Sequence, residues 1–230
     1  MTKLSRRVFL GSAPAAAAAA GVFGTLFSSA AEAAINWDDT YNVIVIGAGG
    51  AGLSAAVSAK EAGCKKVVVL EKMMFAGGNT IRAGGGFNAA IKADYEKAGI
   101  KDSPDLHAQQ TLAAGDGRGD PVLVHQLTEK APESVQWLKD HGVKFQDHIY
   151  QIYGGLYKRA RNPIGPRGGA YIKALLEVCK KEDIPILYNT RVVEIIREHQ
   201  LSGRVLGVKV EQKGGKTLYL RATNAVVAAA

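Results

Sequence analysis

Tyr41–Glu71, YNVIVIGAGGAGLSAAVSAKEAGCKKVVVLE, holds several local signals in a row. Val43, Ile44, Val45 and Ile46 form a run of β-branched side chains, the pattern of a parallel strand buried on both faces. Gly47-Ala48-Gly49-Gly50-Ala51-Gly52 follows with G-x-G-x-x-G spacing. A small-residue helix is predicted from Ala51 to about Ala62, with Gly63 as its C-terminal cap. A second strand, Val67–Leu70, delivers Glu71 nineteen positions after Gly52. Gly47 allows a sharp turn off the strand, Gly49 lets the backbone approach a pyrophosphate, and Gly52 lets the helix pack on the strand. The helix N-terminus offers unpaired N–H groups and partial positive charge to phosphates. Glu71 can accept hydrogen bonds from a ribose diol and would repel a 2′-phosphate. The glycine spacing alone is weak evidence. Joined to strand, helix, strand and acid, it implies a dinucleotide site in a βαβ unit, without saying which dinucleotide.

The 230-residue chain is 47% hydrophobic and 22% charged, the balance of a globular protein with a sizeable core. Its +8 formal charge is spread along the chain, which fits a solvated basic surface better than nucleic-acid binding. Cys64 and Cys179 are the two cysteines. A disulfide between them is left open, two isolated thiols being the simpler expectation. There is no C-x-x-C-H haem motif and no Cys/His set with metal-ligand spacing. At the N-terminus, Ser5-Arg6-Arg7-Val8-Phe9-Leu10, an apolar run to about Leu26 and Ala31-Glu32-Ala33 make a twin-arginine signal over residues 1–33. Export by the twin-arginine machinery, already folded, to the periplasm is therefore expected.

After Glu71, residues 72–88 are unusually glycine-rich, so that backbone can lie flat against a ligand. Ser103-Pro104 starts a helix to about Ala114, and Asp120-Pro121 starts another over Val122–Lys130. Pro132–Asp140 reads as a separate helix, with Leu123, Leu127, Val135 and Leu138 facing the core across the pair. The five histidines sit singly, as surface or core-edge residues. Lys158-Arg159-Ala160-Arg161 reads as a solvated basic turn. Gly168-Gly169 opens a helix to about Lys181, with Ile172, Leu175, Leu176 and Cys179 on one face. Ile186–Tyr188 is a short strand. Arg191–Glu198, Val205–Gln212 and Thr217–Arg221, joined by turns at Ser202-Gly203 and Gly214-Gly215, predict a three-strand meander. Ala225–Ala230 begins one more buried strand.

Taken together, VIVIGAGGAGLSAA, VVVLEK, GGNTIRAGGGFNAA, GDPVLV with ESVQWLKDHGV, GGLYKRARNP, GGAYIKALLEVCKKEDIPILYNTRVVEII and AVVAAA resemble the fumarate reductase and succinate dehydrogenase flavoproteins, in particular the soluble periplasmic flavocytochrome c branch. The resemblance covers nearly the whole chain after residue 33. It implies an α/β fold: an FAD-binding, Rossmann-like, doubly wound parallel sheet with a β-meander crossover, here over residues 34–230 and incomplete at the C-terminus. Gly47, Gly49, Ala51 and Gly52 would hold the pyrophosphate, and Glu71 the adenosine ribose. Asn79, Thr80, Gly84 and Gly85 would line the flavin, with Gly85 also near substrate, and Val192 would meet the adenine.

Two departures from the family pattern shape the expectation. Asn79 stands where the membrane-bound enzymes carry a histidine linked to the flavin, so FAD should be non-covalent. The flavocytochromes carry haem on the same chain; this one lacks the motif, so a separate cytochrome should donate electrons. The family implies hydride transfer from flavin N5 to the C=C bond of an unsaturated acid such as fumarate. The family's capping domain, proton-donating arginine and carboxylate clamps have no counterpart here. No catalytic residue is therefore assigned, and the chain alone is expected not to couple fumarate to oxidation of a reduced viologen. Alternatives are a flavin ketosteroid-type dehydrogenase and a non-catalytic FAD-binding remnant.

Overall fold

The computed structural model describes residues 35–153, 155–199 and 202–230. The proposed signal, residues 1–33, lies outside them. Strand β1 (Asp39–Ile46) leads into helix α1 (Gly50–Glu61), and β2 (Val67–Leu70) returns parallel to β1, with Val43 opposite Val67 and Ile46 opposite Leu70. This is the predicted βαβ unit. Later in the chain come β6 (Ile186–Leu187), β7 (Thr190–His199), β8 (Ser202–Gln212) and β9 (Thr217–Ala228). They complete a six-stranded sheet in the order β6-β2-β1-β9-β8-β7. The β7–β8–β9 meander is antiparallel, whereas β9 joins β1 in parallel.

Alternation along β1 and β2 builds a core on each face of the sheet. Val43, Val45, Val67 and Val69 pack on one face with Leu53 and Val57 of α1 and with Ile172, Leu175 and Cys179 of helix α5 (Gly168–Lys181). Ile44, Val68 and Leu70 pack on the other with Val208, Val210 and Leu220 of the meander. Cys64 and Cys179 are both free thiols, and burial pushes the Cys179 thiol up to about 11. In the chain between β2 and β6 come α2 (Lys92–Lys97), α3 (Pro104–Ala114), α4 (Pro121–Asp140) and the strands of a small antiparallel sheet. The small sheet comprises β3 (Phe87–Asn88), β5 (Lys158–Arg161) and β4 (Tyr150–Gln151), with β5 in the middle. Ser103 and Asp120 cap α3 and α4, each side chain accepting first-turn N–H groups.

Several expectations need correction. Residues 122–140 form one helix, not two. Pro132 removes one ladder bond, but Ala131 and Val135 pack on Ala89 and hold the helix through it. Leu123 and Leu127 are not core residues; each is 63% exposed beside an open groove bordered by Phe87 and His107, and Thr128 and Ala131 take the buried stripe. Ser202 and Gly203 belong to β8. Thr217–Arg221 and Ala225–Ala230 are not separate strands. The polar break between them is absorbed because Asn42 Nδ2 of β1 donates to Thr223 Oγ1 and Asn224 Oδ1, and Ala225 and Ala228 are exposed. The basic run is not a solvated turn. Arg159 and Arg161 are 5% and 3% exposed, paired with Asp102 and Asp94 at 2.6 Å each.

Candidate functional site

The turn leaving β1, the segment after β2 and the start of β7 enclose a cavity of about 550 Å³. Gly47, Gly49, Ala51, Glu71, Asn79, Thr80 and Val192 all contribute to its wall. Gly52 lies beneath the floor, where an added Cβ would stand 1.9 Å from the Gly47 carbonyl oxygen. Gly84 and Gly85 are outside this wall. Gly85, at φ +86°, is buried against Arg167 and Gly168 at the start of α5, and Gly84 is exposed. Lys72, Met73, Thr190 and Arg191 also line the cavity and were not singled out from sequence. Each lies within two residues of Glu71 or Val192, the only local signal that could have found them.

The β1–α1 turn divides its donors. The Ala48 N–H donates to Glu71 Oε2 at 2.9 Å, and the Gly50 N–H donates to Thr80 Oγ1 at 3.1 Å. Among the described residues, the N–H groups of Gly49, Ala51 and Gly52 have no partner. Gly49 is the N-cap of α1, with no side-chain cap and no acid in the first turn to compete for the positive end of the helix. A Cβ added at Gly49 would meet nothing closer than the Gly77 oxygen at 3.9 Å. The protein therefore leaves open both the space and the donors that a diphosphate would fill.

Glu71 is 7% exposed, and its other oxygen accepts from the Met73 N–H at 2.8 Å. Its main chain is tied to Leu187 and Thr190. The carboxylate thus fastens the β1–α1 turn to the segment after β2, and each oxygen keeps capacity to accept a ribose hydroxyl. Lys72 and Arg191 add positive charge at the mouth. Asn79 presents an amide, which offers no nucleophile for a covalent link to a cofactor. These features fit a dinucleotide held by backbone donors and one acid.

Residues 42–230 match the family described as FAD binding domain. The chain is 36% identical over 192 residues to the NADH:fumarate oxidoreductase of Klebsiella pneumoniae (strain 342), covering 82% of this chain and 20% of that protein. It is 37% identical over 175 residues to the fumarate reductase (cytochrome) of Shewanella frigidimarina, covering 75% and 30%. Among solved structures, the open conformation of a flavocytochrome c3 fumarate reductase superposes with a TM-score of 0.77 at 29% identity, over 89% of this chain and 36% of that one. The chain thus spans a fifth to a third of the length of these relatives. With the βαβ cradle and meander in place, the chain belongs to the FAD-binding flavoprotein family of fumarate reductases and succinate dehydrogenases, a family of oxidoreductases.

Proposed function

We propose that this chain supplies the FAD-binding part of a periplasmic reductase acting on the C=C bond of a small unsaturated carboxylic acid such as fumarate. The observation that carries the cofactor half of this reading is the α1 start, with open space at Gly49 and three N–H groups that have no partner among the described residues. Gly49, Ala51 and Gly52 would hold the diphosphate through their N–H groups, and Gly47 would give the turn its shape. Glu71 would take the ribose and Val192 would border the adenine. Asn79, Thr80, Gly84 and Gly85 would face the flavin, with Gly85 near substrate. When bound, FAD would supply the hydride from its N5. The residues of this chain bind and orient; none is assigned a proton-transfer role. The names of the relatives support the acid substrate, and the twin-arginine pattern at Arg6-Arg7 supports periplasmic export. Without a haem motif in the chain, a separate cytochrome is the proposed donor.

The purified chain should be yellow, and heat or acid should release all its flavin as free FAD. Flavin that stays with the denatured polypeptide would overturn the non-covalent reading, and a colourless protein that takes up no FAD would overturn the cofactor reading. Grafted in place of the matching segment of the Shewanella frigidimarina fumarate reductase, the chain should sustain fumarate-dependent oxidation of reduced viologen. Replacing Arg6 and Arg7 by lysine should keep the protein in the cytoplasm.

A further inference from the structure

The Gly84-Gly85-Gly86 segment lies outside the dinucleotide cavity, yet it is held more tightly than an open glycine loop. The Tyr171 hydroxyl of α5 donates to the Gly85 carbonyl at 2.7 Å in a buried setting. The Tyr171 ring is itself fixed by Phe87 and Phe145, at centroid distances of 6.5 and 6.0 Å. A Cβ at Gly85 would meet the Arg167 backbone at 2.8 Å, so the loop lies directly on the start of α5. The Gly168 N–H donates to the Ala83 carbonyl at 3.2 Å, pinning the residue before the glycines. Burial pushes the Tyr171 phenol far above its ordinary range, so the hydroxyl remains a donor at every working pH.

The peptide between Gly85 and Gly86 is trans and planar, so its C=O and N–H point in opposite directions. With the carbonyl turned inward to Tyr171, the Gly86 N–H is turned away from α5. Among the described residues that N–H has no hydrogen-bond partner, and Gly86 is exposed. The structure thus presents a backbone donor whose direction is set by a side chain eighty-five residues further along the chain.

We propose that Tyr171 is a positioning residue: it fixes the Gly85–Gly86 peptide so that the Gly86 N–H stands as an oriented donor to an acceptor atom of the bound flavin. This rests on the FAD reading above. Loss of the hydroxyl frees the peptide to rotate, and the donor is then no longer pre-aimed at its acceptor.

The test uses the whole chain. Tyr171→Phe should weaken FAD binding about threefold to tenfold in a fluorescence titration, the worth of one hydrogen bond. It should also change the visible circular dichroism of the bound flavin. Tyr157→Phe, which removes a hydroxyl bonded to the Lys101 carbonyl, should change neither. Hydrogen exchange on the wild-type chain gives a readout that does not depend on the variant folding: FAD should slow exchange at the Gly86 amide. A Gly86 amide that exchanges equally fast with and without FAD overturns the proposal, as does an unaltered affinity and spectrum in Tyr171→Phe. A wild-type chain that takes up no FAD fails earlier, and takes the cofactor reading down with this one.

Discussion

Gly49 and Gly52 are both glycines of one fingerprint, but the structure separates the reasons for them. Alanine at Gly52 would put its methyl 1.9 Å from the Gly47 oxygen and 3.4 Å from Val45 Cγ1. A methyl carbon needs at least 3.0 Å, so the turn and the helix must part by about 1.1 Å. Neither side can yield freely. The Gly47 N–H is bonded to the Leu70 carbonyl at 2.8 Å, and the Leu53 N–H to the Gly49 carbonyl at 3.0 Å. Overpacking against a pinned backbone falls at the upper end of its usual range, about 3 kcal/mol. For a chain of this size that corresponds to a melting temperature lower by about 6–12 °C. Alanine at Gly49 is a different perturbation. The residue has φ −80°, ordinary for alanine, and its methyl would find 3.9 Å of clearance. Its effect on stability should stay within about 0.5 kcal/mol, yet the methyl occupies space the diphosphate needs. Losing a charge-assisted contact there should weaken FAD binding about 10- to 100-fold. The assay is a thermal melt of each apo-protein beside an FAD titration. Gly52→Ala melting with the wild type would refute the reasoning. So would Gly49→Ala losing stability while binding FAD normally.

Two further predictions concern the polar interior. Arg159→Met leaves the Asp102 carboxylate, whose side chain is 0% exposed, without its partner and should cost about 3–5 kcal/mol in a denaturant titration. Lys158→Met, at an exposed neighbour, serves as the silent control, and equal stabilities for the two would show that the pair is not closed in solution. Burial, reinforced by the Arg159 charge, pulls His107 below the usual histidine range, and its buried Nδ1 has no partner among the described residues. Above the unfolded pKa of about 6.5 the group is neutral in both states and contributes no pH dependence. Below it the unfolded chain takes up a proton that the folded one resists, so stability falls as pH drops toward the lowered folded value. His107→Gln should flatten that slope. An unchanged pH profile would count against it.

Much of the fold was legible because its signals are local. The β-branched run of β1, the glycine turn, and the Ser103 and Asp120 caps each act within a few residues, and all appear where expected. The failures share a different physical character. Arg159 and Arg161 read as solvated because their acids, Asp102 and Asp94, lie 57 and 67 residues away in the chain. The Thr223-Asn224 pair read as a strand break because the matching amide of Asn42 sits in another strand. Pro132 read as a boundary because local sequence records the lost bond but not the packing of Ala131 and Val135 on Ala89. In the site, residues belonging to the β1–α1 turn and the ends of β2 and β7 converged on one cavity. Gly85 instead met the start of α5, a contact that only the folding of residues 167–171 onto the loop creates, and Gly84 stayed exposed.

That contact also fastens the far end of the segment that carries the wall residues Gly78, Asn79 and Thr80, so the segment is held before any ligand arrives. At one end, the segment after β2 is tied to the start of α1 through the Gly77 N–H to the Ala48 carbonyl at 2.9 Å and through Thr80 to Gly50. Glu71 adds a third tie, through Ala48 and Met73. At the other end, Gly168 and Tyr171 fasten Ala83 and Gly85 to the start of α5. The ties use some of the donors at the helix start and leave others, those of Gly49, Ala51 and Gly52, free among the described residues. A wall fixed in this way loses little conformational freedom on binding, so more of the contact energy appears as affinity. Loosening either end should therefore weaken FAD binding, with Thr80→Val acting at one end, in the cavity wall itself, and Tyr171→Phe at the other, outside that wall. Because Thr80→Val returns the Gly50 N–H to the pool of free donors, its loss of affinity should be the smaller of the two.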